Sequence, residues 1–443
     1  MIHKRSPIAC LCTLLLAWAG ASAALAQPQG EGTVTQGQSL QALSQQADRY
    51  EQQVSELNGS YDQGSAEIFR SLASVYWQMG QLEEAANAYQ EALQALRVNE
   101  GLASESQLAV ISEFNGLLFE QEDWEQLDTH FHLQVDMSRR LYGVSDVRYL
   151  RASNTLAGWK IRAFQTGIYQ GRGDRSIQLA AEIYRTLAEQ LPETDPNYHR
   201  RLAGYHSAQG LAHFYSARFA ASLPLEEFRA APQGNNVQNC VPTILSVDGG
   251  AQPSAAACQV NQGSDAEFFA SQQREKSQLV RRHLGNMRQS FMLAIEALEN
   301  APDVSIREQA VAILNYGDAN MLAEDYHRAR TQYAMAYELL SANPQSIQLR
   351  DELMDQPRKA LQDIVGELPF DSKLQDSEAL GTISFDVGER GEILNISIEG
   401  MEDALIQQNL GAIAMMLEQS PYRPRIVEGR PVQSRVSIST GQL

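Results

Sequence analysis

The chain has 443 residues, 43 % of them hydrophobic and 20 % charged, with 54 acidic against 35 basic side chains and a net charge of −19. That length suggests two to three domains, and that composition supports a buried core and excludes a wholly disordered chain. A surface this acidic repels phosphate backbones and anionic headgroups, so neither nucleic acid nor a lipid face is the expected partner. Four cysteines, two of them at Cys10 and Cys12, exclude a disulfide-dense scaffold and a four-cysteine zinc site.

Residues 1–26 carry Lys4 and Arg5, an apolar run from Ile8 to Ala19, and then Ala24-Leu25-Ala26. Charged, apolar and small-residue segments in that order predict a secretory signal peptide cleaved after Ala26, and hence a periplasmic chain beginning at Gln27. The second reading is an uncleaved inner-membrane anchor, because Ile8 to Ala26 is 19 residues, about the minimum for a span.

From about 38 to 365 the apolar residues recur with a helical period. Ala66–Asn99 predicts two amphipathic helices joined at Gly80, where a left-handed turn is needed. Ala73, Ala85 and Ala92 allow close approach of those helices, and Phe69, Leu72, Tyr76 and Tyr89 fill the space between. Ala310–Asn343 repeats the spacing with Gly317, Ala329, Tyr333 and Ala336, but places Asn320 and Glu324 where Tyr76 and Gly80 stand in the first copy. A degenerate third copy starts near Leu108, with Phe114, Leu118, Leu127 and Phe131 at core spacings and Trp124 opening its second helix.

Residues 231–263 contain three prolines, several Asn and Gln, and no Lys or Arg, and predict a long surface loop. Cys240 and Cys258 flank its middle, and export would place them in an oxidising compartment. A disulfide between them would stabilise by roughly 3 kcal/mol on the chain-entropy model; two free thiols are the alternative.

Residues 366–380 read as a linker. Gly381–Val387 then alternates as a strand, Glu389-Arg390-Gly391 turns, and Glu392–Glu399 alternates again, with Leu394, Ile396 and Ile398 on one face and Ile393 offset. Residues 401–419 predict a helix, and Val432–Ser439 a last strand. The expected fold class is therefore mainly α, a stack of paired helices followed by a small α+β unit of order ββαβ over 381–443.

The eight residues of the first helical pair fall at the spacings of the tetratricopeptide repeat, which the segment resembles; Arg97 replaces that family's closing proline. The resemblance implies an α-solenoid whose first helices line a peptide-binding groove, here through Glu67, Arg70, Ser74 and Trp77. An Arg beside a Trp suits a binding hot spot, although Trp77 could instead pack on a neighbouring repeat. The C-terminal unit resembles the C-terminal domain of TonB-family energy transducers through Gly381, Ile383, Phe385, Val387 and Gly391, and through Tyr422, Pro424, Gly429, Pro431 and Val432. That resemblance implies an edge strand, around Val432, Val436 and Ile438, to which an extended peptide of an outer-membrane receptor adds as a further strand. The family's long Pro-rich spacer is missing, and helices stand in its place.

The sequence contains no G-x-x-x-x-G-K-[ST], G-x-S-x-G or H-E-x-x-H. His199, His206 and His213 recur every seven residues, about 10.5 Å apart along a helix, too far to share one metal. An aromatic groove or interface stripe with Tyr198, Tyr205 and Phe214 explains them better. Arg172-Gly173-Asp174 is explained by Asp174 as a helix N-cap. The expected function is therefore non-enzymatic protein binding, with no cofactor, metal or small-molecule substrate. The protein would be an accessory of TonB-linked outer-membrane transport or, alternatively, a free periplasmic scaffold using the repeat groove.

Overall fold

A computed structural model describes residues 36–57, 62, 64–168, 173–225, 265–363, 382–399, 417 and 421–439. The signal segment, Cys240, Cys258 and their loop, the 366–380 linker, Gly381, and the expected 401–419 helix apart from Leu417 lie outside the described residues. The chain is mainly α, with small antiparallel sheets near its end. It divides into two compact units, one running to Asp123 and the other from Trp124.

The first unit contains α1 (Gln36–Glu56), α2 (Ser65–Gln78), α3 (Leu82–Glu100) and α4 (Glu105–Glu120). Ala73, Ala85 and Ala92 are wholly buried where the small side chains let α2 meet α3, and Phe69, Leu72 and Tyr89 close the space around them. Tyr89 stacks on Phe114 of α4 with ring centroids 5.4 Å apart. The expected core of the first pair is the observed one apart from Tyr76, which is half-buried and turns its hydroxyl to Glu51 of α1.

The second unit continues with α5 (Trp124–Tyr142), α6 (Val147–Gln165), α7 (Gly173–Gln190), α8 (Tyr198–Ser222), α9 (Asp265–Glu299), α10 (Ile306–Leu322), α11 (Tyr326–Ser341) and α12 (Ile347–Met354). Local chemistry starts several of these helices: Asp146 accepts from the Arg148 amide, and Ser305 and Glu308 form a reciprocal capping box at α10. α7 begins at Gly173, so Asp174 lies in its first turn.

One turn recurs along the described helices. Gly80, Glu122, Gly167 and Glu324 each hold a left-handed backbone, with φ of 75°, 57°, 68° and 61°. The next residue's amide reaches back five positions in every case: Gln81 to Tyr76, Asp123 to Leu118, Ile168 to Ala163 and Asp325 to Asn320, at 2.8–3.1 Å. This satisfies the orphan carbonyls of the ending helix. Where glycine was expected and Glu324 stands, the turn forms all the same, at the steric cost of a side chain in the left-handed region.

The strands are β1 (Arg358–Lys359), β2 (Thr382–Val387), β3 (Ile393–Glu399), β4 (Tyr422–Arg423), β5 (Arg425–Val427), β6 (Arg430–Val432) and β7 (Ser434–Ser439). β2 is central in the order β3-β2-β7, while β1 pairs with β4 and β5 with β6, all antiparallel. Two expectations are corrected here. The last strand is broken at Gln433, so Val432 belongs to β6 and faces Arg425, not to the sheet edge. The stretch before it holds the β5–β6 hairpin turning at Glu428-Gly429. In β3 the register shifts opposite Phe385, and Asn395 takes φ 51°. That bulge returns Ile393 to the core beside Ile396 and Ile398 and leaves Leu394 39 % exposed.

Candidate functional site

The four expected groove residues lie together on α2, but two are committed to α4. Arg70 forks onto Glu113, with Nε–Oε2 at 3.0 Å, and also meets Glu67 one turn earlier. Trp77 donates its Nε1–H to Glu120 at 2.5 Å, and its ring fills the space over Gly116, where a Cβ would come within 2.8 Å. Ser74 accepts from Gln78. The face is a helix–helix contact, and Trp77 packs on the neighbouring helix instead of standing open as a hot spot. Glu67 remains largely solvated.

Gly80 and Glu324 occupy the same place in their turns, so Glu67, Arg70, Ser74 and Trp77 of α2 correspond to Val311, Leu314, Asp318 and Met321 of α10. All four of the latter are buried. Asp318, wholly inaccessible, takes a two-pronged contact from Arg423 of β4: Nε–Oδ1 and Nη2–Oδ2 are both 2.8 Å. Its Oδ1 also accepts from the Tyr333 hydroxyl at 3.0 Å and its Oδ2 from the Leu361 amide at 3.0 Å. Arg423 is 2 % exposed. Burial alone would lower its affinity for a proton; the Asp318 charge overrides this and holds the guanidinium above its ordinary value. Burial, reinforced by Asp318, pushes the Tyr333 hydroxyl far above its usual range, so it stays protonated and donates.

The alternation of β4 explains how one short strand serves two cores. Tyr422 points into the sheet, its ring 5.1 Å from that of Phe385 and nearly perpendicular to it. Arg423, its neighbour, points the other way, into the helices. Gly391 and Gly429, read as motif glycines, sit where the strands touch the helices. A Cβ on Gly391, which has φ 81°, would come within 2.6 Å of the Tyr422 carbonyl and 2.9 Å of Met321 Sδ; one on Gly429 would be 3.0 Å from Ala334 Cα. Pro424 and Pro431 are buried. Weaker ties join the same parts: Arg425 with Asp355 at 2.6 Å, Arg330 with Glu389 at 3.5 Å, and Arg390 stacked over Tyr326.

The sheet has a covered and an open face. Ile383, Phe385, Val387, Leu417 and Tyr422 form the core, with Val436 and Ile438 of β7 packed against it. The other face is polar: Ser384 and Ser437 share a 2.7 Å hydrogen bond, and Arg435 donates to Ser397 at 2.6 Å. Among the described strands, β3 and β7 are the two edges.

His206 and His213 of α8 and His283 of α9 line a cleft of about 690 Å³ together with α7. The buried Nδ1 atom of each lacks a hydrogen-bond partner. The His213 and His283 rings are 5.8 Å apart, while His199 packs edge-on to Tyr198. Burial, then the proximity of His283, pushes His213 down to about 4; burial also lowers His206 and His283. An imidazolium needs both ring N–H groups satisfied, which this cleft does not provide. Among the described residues, no group of three or more His, Cys, Asp or Glu is placed to hold a metal ion, and no helix is long and apolar enough to cross a membrane.

Sequence reasoning missed Asp318 and Arg423. The available signals were a carboxylate on the apolar side of α10 and an arginine as the free position between Tyr422 and Pro424.

No family model matches the chain, and no curated protein matches it. Among solved structures it has a likeness to the crystal structure of BtubC (BKLC) from P. vanneervenii, at 12 % identity, over 69 % of this chain and 91 % of that one, with a TM-score of 0.34. A likeness of that size carries no functional argument.

Proposed function

We propose that this is an exported, non-enzymatic protein-binding chain, a TPR-like α-solenoid carrying a TonB-like C-terminal module. It engages an extended peptide of a protein partner by strand addition, and the leading partner is an outer-membrane receptor of a TonB-linked uptake system. The reading rests on the place of β7: it ends the order β3-β2-β7, so among the described strands its outer side has no neighbour. Val436 and Ile438 pack inward, while the backbone of the edge supplies donors and acceptors for an added strand. The alternative, a free periplasmic scaffold, is favoured by the missing spacer and by the docking of the module on α10–α12, which is unlike a tethered transducer tip.

The test is a binding assay between the full chain and periplasm-facing receptor segments. Val436→Pro and Ser437→Pro remove donors on opposite sides of β7, and Val436→Thr is the shape-preserving control. One proline variant, folded by circular dichroism, should lose binding while threonine retains it. If both folded proline variants bind like wild type, strand addition at β7 is wrong.

A further inference from the structure

The groove side of α10 is already occupied. In α2 two of the corresponding positions, Arg70 and Trp77, meet α4; in α10 Asp318 meets an extended segment from later in the chain. β1 and β4 form a two-stranded antiparallel ribbon with Arg358 opposite Arg423 and Lys359 opposite Tyr422, tied further by the Ala360 amide to the Pro421 carbonyl at 2.8 Å. Both sides of the ribbon are fixed to α10: Arg423 of β4 and the Leu361 amide, two residues after β1, both reach Asp318, and Asn315 donates to the Asp363 carbonyl at 2.6 Å. Arg423 reaches a second partner, the Leu353 carbonyl at the end of α12, at 3.4 Å.

We propose that the β1–β4 ribbon is a resident peptide ligand of the last helical pair. Arg423 is its anchor, seated in a pocket made by Asp318, Tyr333 and the Leu353 carbonyl. The ligand class that this pocket takes is an extended strand bearing an arginine, and the chain supplies that strand in cis. A repeat stack needs its terminal pair covered, because each pair buries its faces only against a neighbour. The ribbon and the residues beside it meet that need with strands in place of another helix: Ala360, next after β1, and Ile426 of β5 join the core of Leu314, Tyr333, Ala336 and Leu353. A planar guanidinium held at two points by one carboxylate fixes both register and direction, which an apolar contact would not. The outcome is a C-terminal module clamped to α10–α12, a groove face closed to outside peptides, and the sheet edge left as the route for a partner. This inference stands on the α10 geometry and is independent of what β7 binds.

The experiment uses the full chain with a protease site placed within residues 366–380 and cut after folding. The two pieces of the wild type should stay together at low micromolar concentration in size-exclusion chromatography. Asp318→Asn should weaken their association at least 100-fold, whereas Arg425→Ala, which removes the solvated pair with Asp355, should weaken it less than tenfold. Cut wild-type pieces that separate at 10 micromolar concentration, or an Asp318→Asn effect no larger than that of Arg425→Ala, would overturn the proposal. Hydrogen exchange on the uncut wild type needs no variant to fold. The Leu361 amide, bonded to Asp318, should exchange as slowly as the interior amides of α10; free exchange of Leu361 while α10 stays protected would also overturn it.

Discussion

The first complete helical pair, α2–α3, and the last, α10–α11, share a spacing and a turn but solve opposite problems. Around α2 the groove-side positions are polar or amphipathic, and they are satisfied by α4, one helix further along: Arg70 by Glu113 and Trp77 by Glu120. Around α10 the same positions are Val311, Leu314, Asp318 and Met321, and among the described residues no further pair of the kind follows; the β1–β4 ribbon meets this side of α10 at Asp318. The α2 side is therefore met by side chains of another helix, whereas α10 carries a residue that is met by a strand. Asp318 is that residue. A carboxylate at zero exposure is tolerable only because Arg423, Tyr333 and the Leu361 amide satisfy it together.

The largest effect that tests this difference is the loss of one partner of the buried pair. Arg423→Ala should destabilise the second unit by about 3–5 kcal/mol, because Asp318 is left charged, buried and short of its counter-ion. Ser74→Ala, at the position equivalent to Asp318 in the first pair, should change stability by less than about 0.5 kcal/mol, because Ser74 is only half-buried and bonds only the Gln78 side chain one turn on. Urea titration of both variants checks the contrast. The double change Asp318→Leu with Arg423→Met should recover most of the loss, since matched apolar groups of similar size can replace a buried ion pair. Equal costs for Arg423→Ala and Ser74→Ala would erase the distinction between the two pairs.

Acid should separate the two regions next. The described part of the first unit contains no histidine, whereas His206, His213 and His283 line the α7–α8–α9 cleft of the second. Glu182, Arg185 and Glu189 face that cleft from α7 and Arg282 from α9, and Glu296 attracts a proton toward His206. The folded value of His213 lies below the roughly 6.5 of an unfolded histidine, so its contribution is fully present above pH 6.5. It is lost as the pH falls from about 6.5 toward 4, by roughly 3 kcal/mol for this group alone. Hydrogen exchange at pH 7.5 and pH 5 should show α8 and α9 losing protection while α2 and α3 keep theirs. His213→Gln should flatten the pH dependence, and an unchanged slope in that variant would assign it to carboxylates elsewhere.

What was legible from the residues follows the same line. The core of α2–α3 could be read from Phe69 to Ala92 because every contact in it lies within a short, periodic stretch. The partnership of Asp318 and Arg423 could not, because it joins a helix to a strand more than a hundred residues later, and local period carries no record of such a pairing. Ile393 and Leu394 were assigned to the wrong faces because alternation assumes an unbroken ladder, and the bulge at Asn395 breaks it. Val432 was placed in the edge strand because nothing in the run Pro431-Val432-Gln433-Ser434 marks the corner between β6 and β7. Trp77 could be assigned either to a groove or to a neighbour; Gly116, one helix away, decides it by leaving room for the ring.

The smallest effect concerns the turn the two pairs share. Gly80 holds φ at 75° with open space where a Cβ would be, so the objection to a side chain there is conformational and not a clash. Gly80→Ala should cost about 1 kcal/mol, the usual penalty of a left-handed L-residue, reduced slightly by the lower entropy of the unfolded alanine chain. Glu324 already bears that penalty at φ 61°. Glu324→Gly should therefore stabilise the last pair, by about 0.5 kcal/mol once the greater freedom of an unfolded glycine is subtracted. Glu122→Gly, in the equivalent turn at φ 57°, should behave alike, and thermal melts of the three variants give the comparison directly. Stabilisation at both glutamate positions would mean that the turn is set by the backbone and merely tolerates those side chains. Destabilisation at Glu324 alone would mean that its carboxylate has work of its own at the end of α10, and that the last pair departs from the first in its turn as well as in its cover.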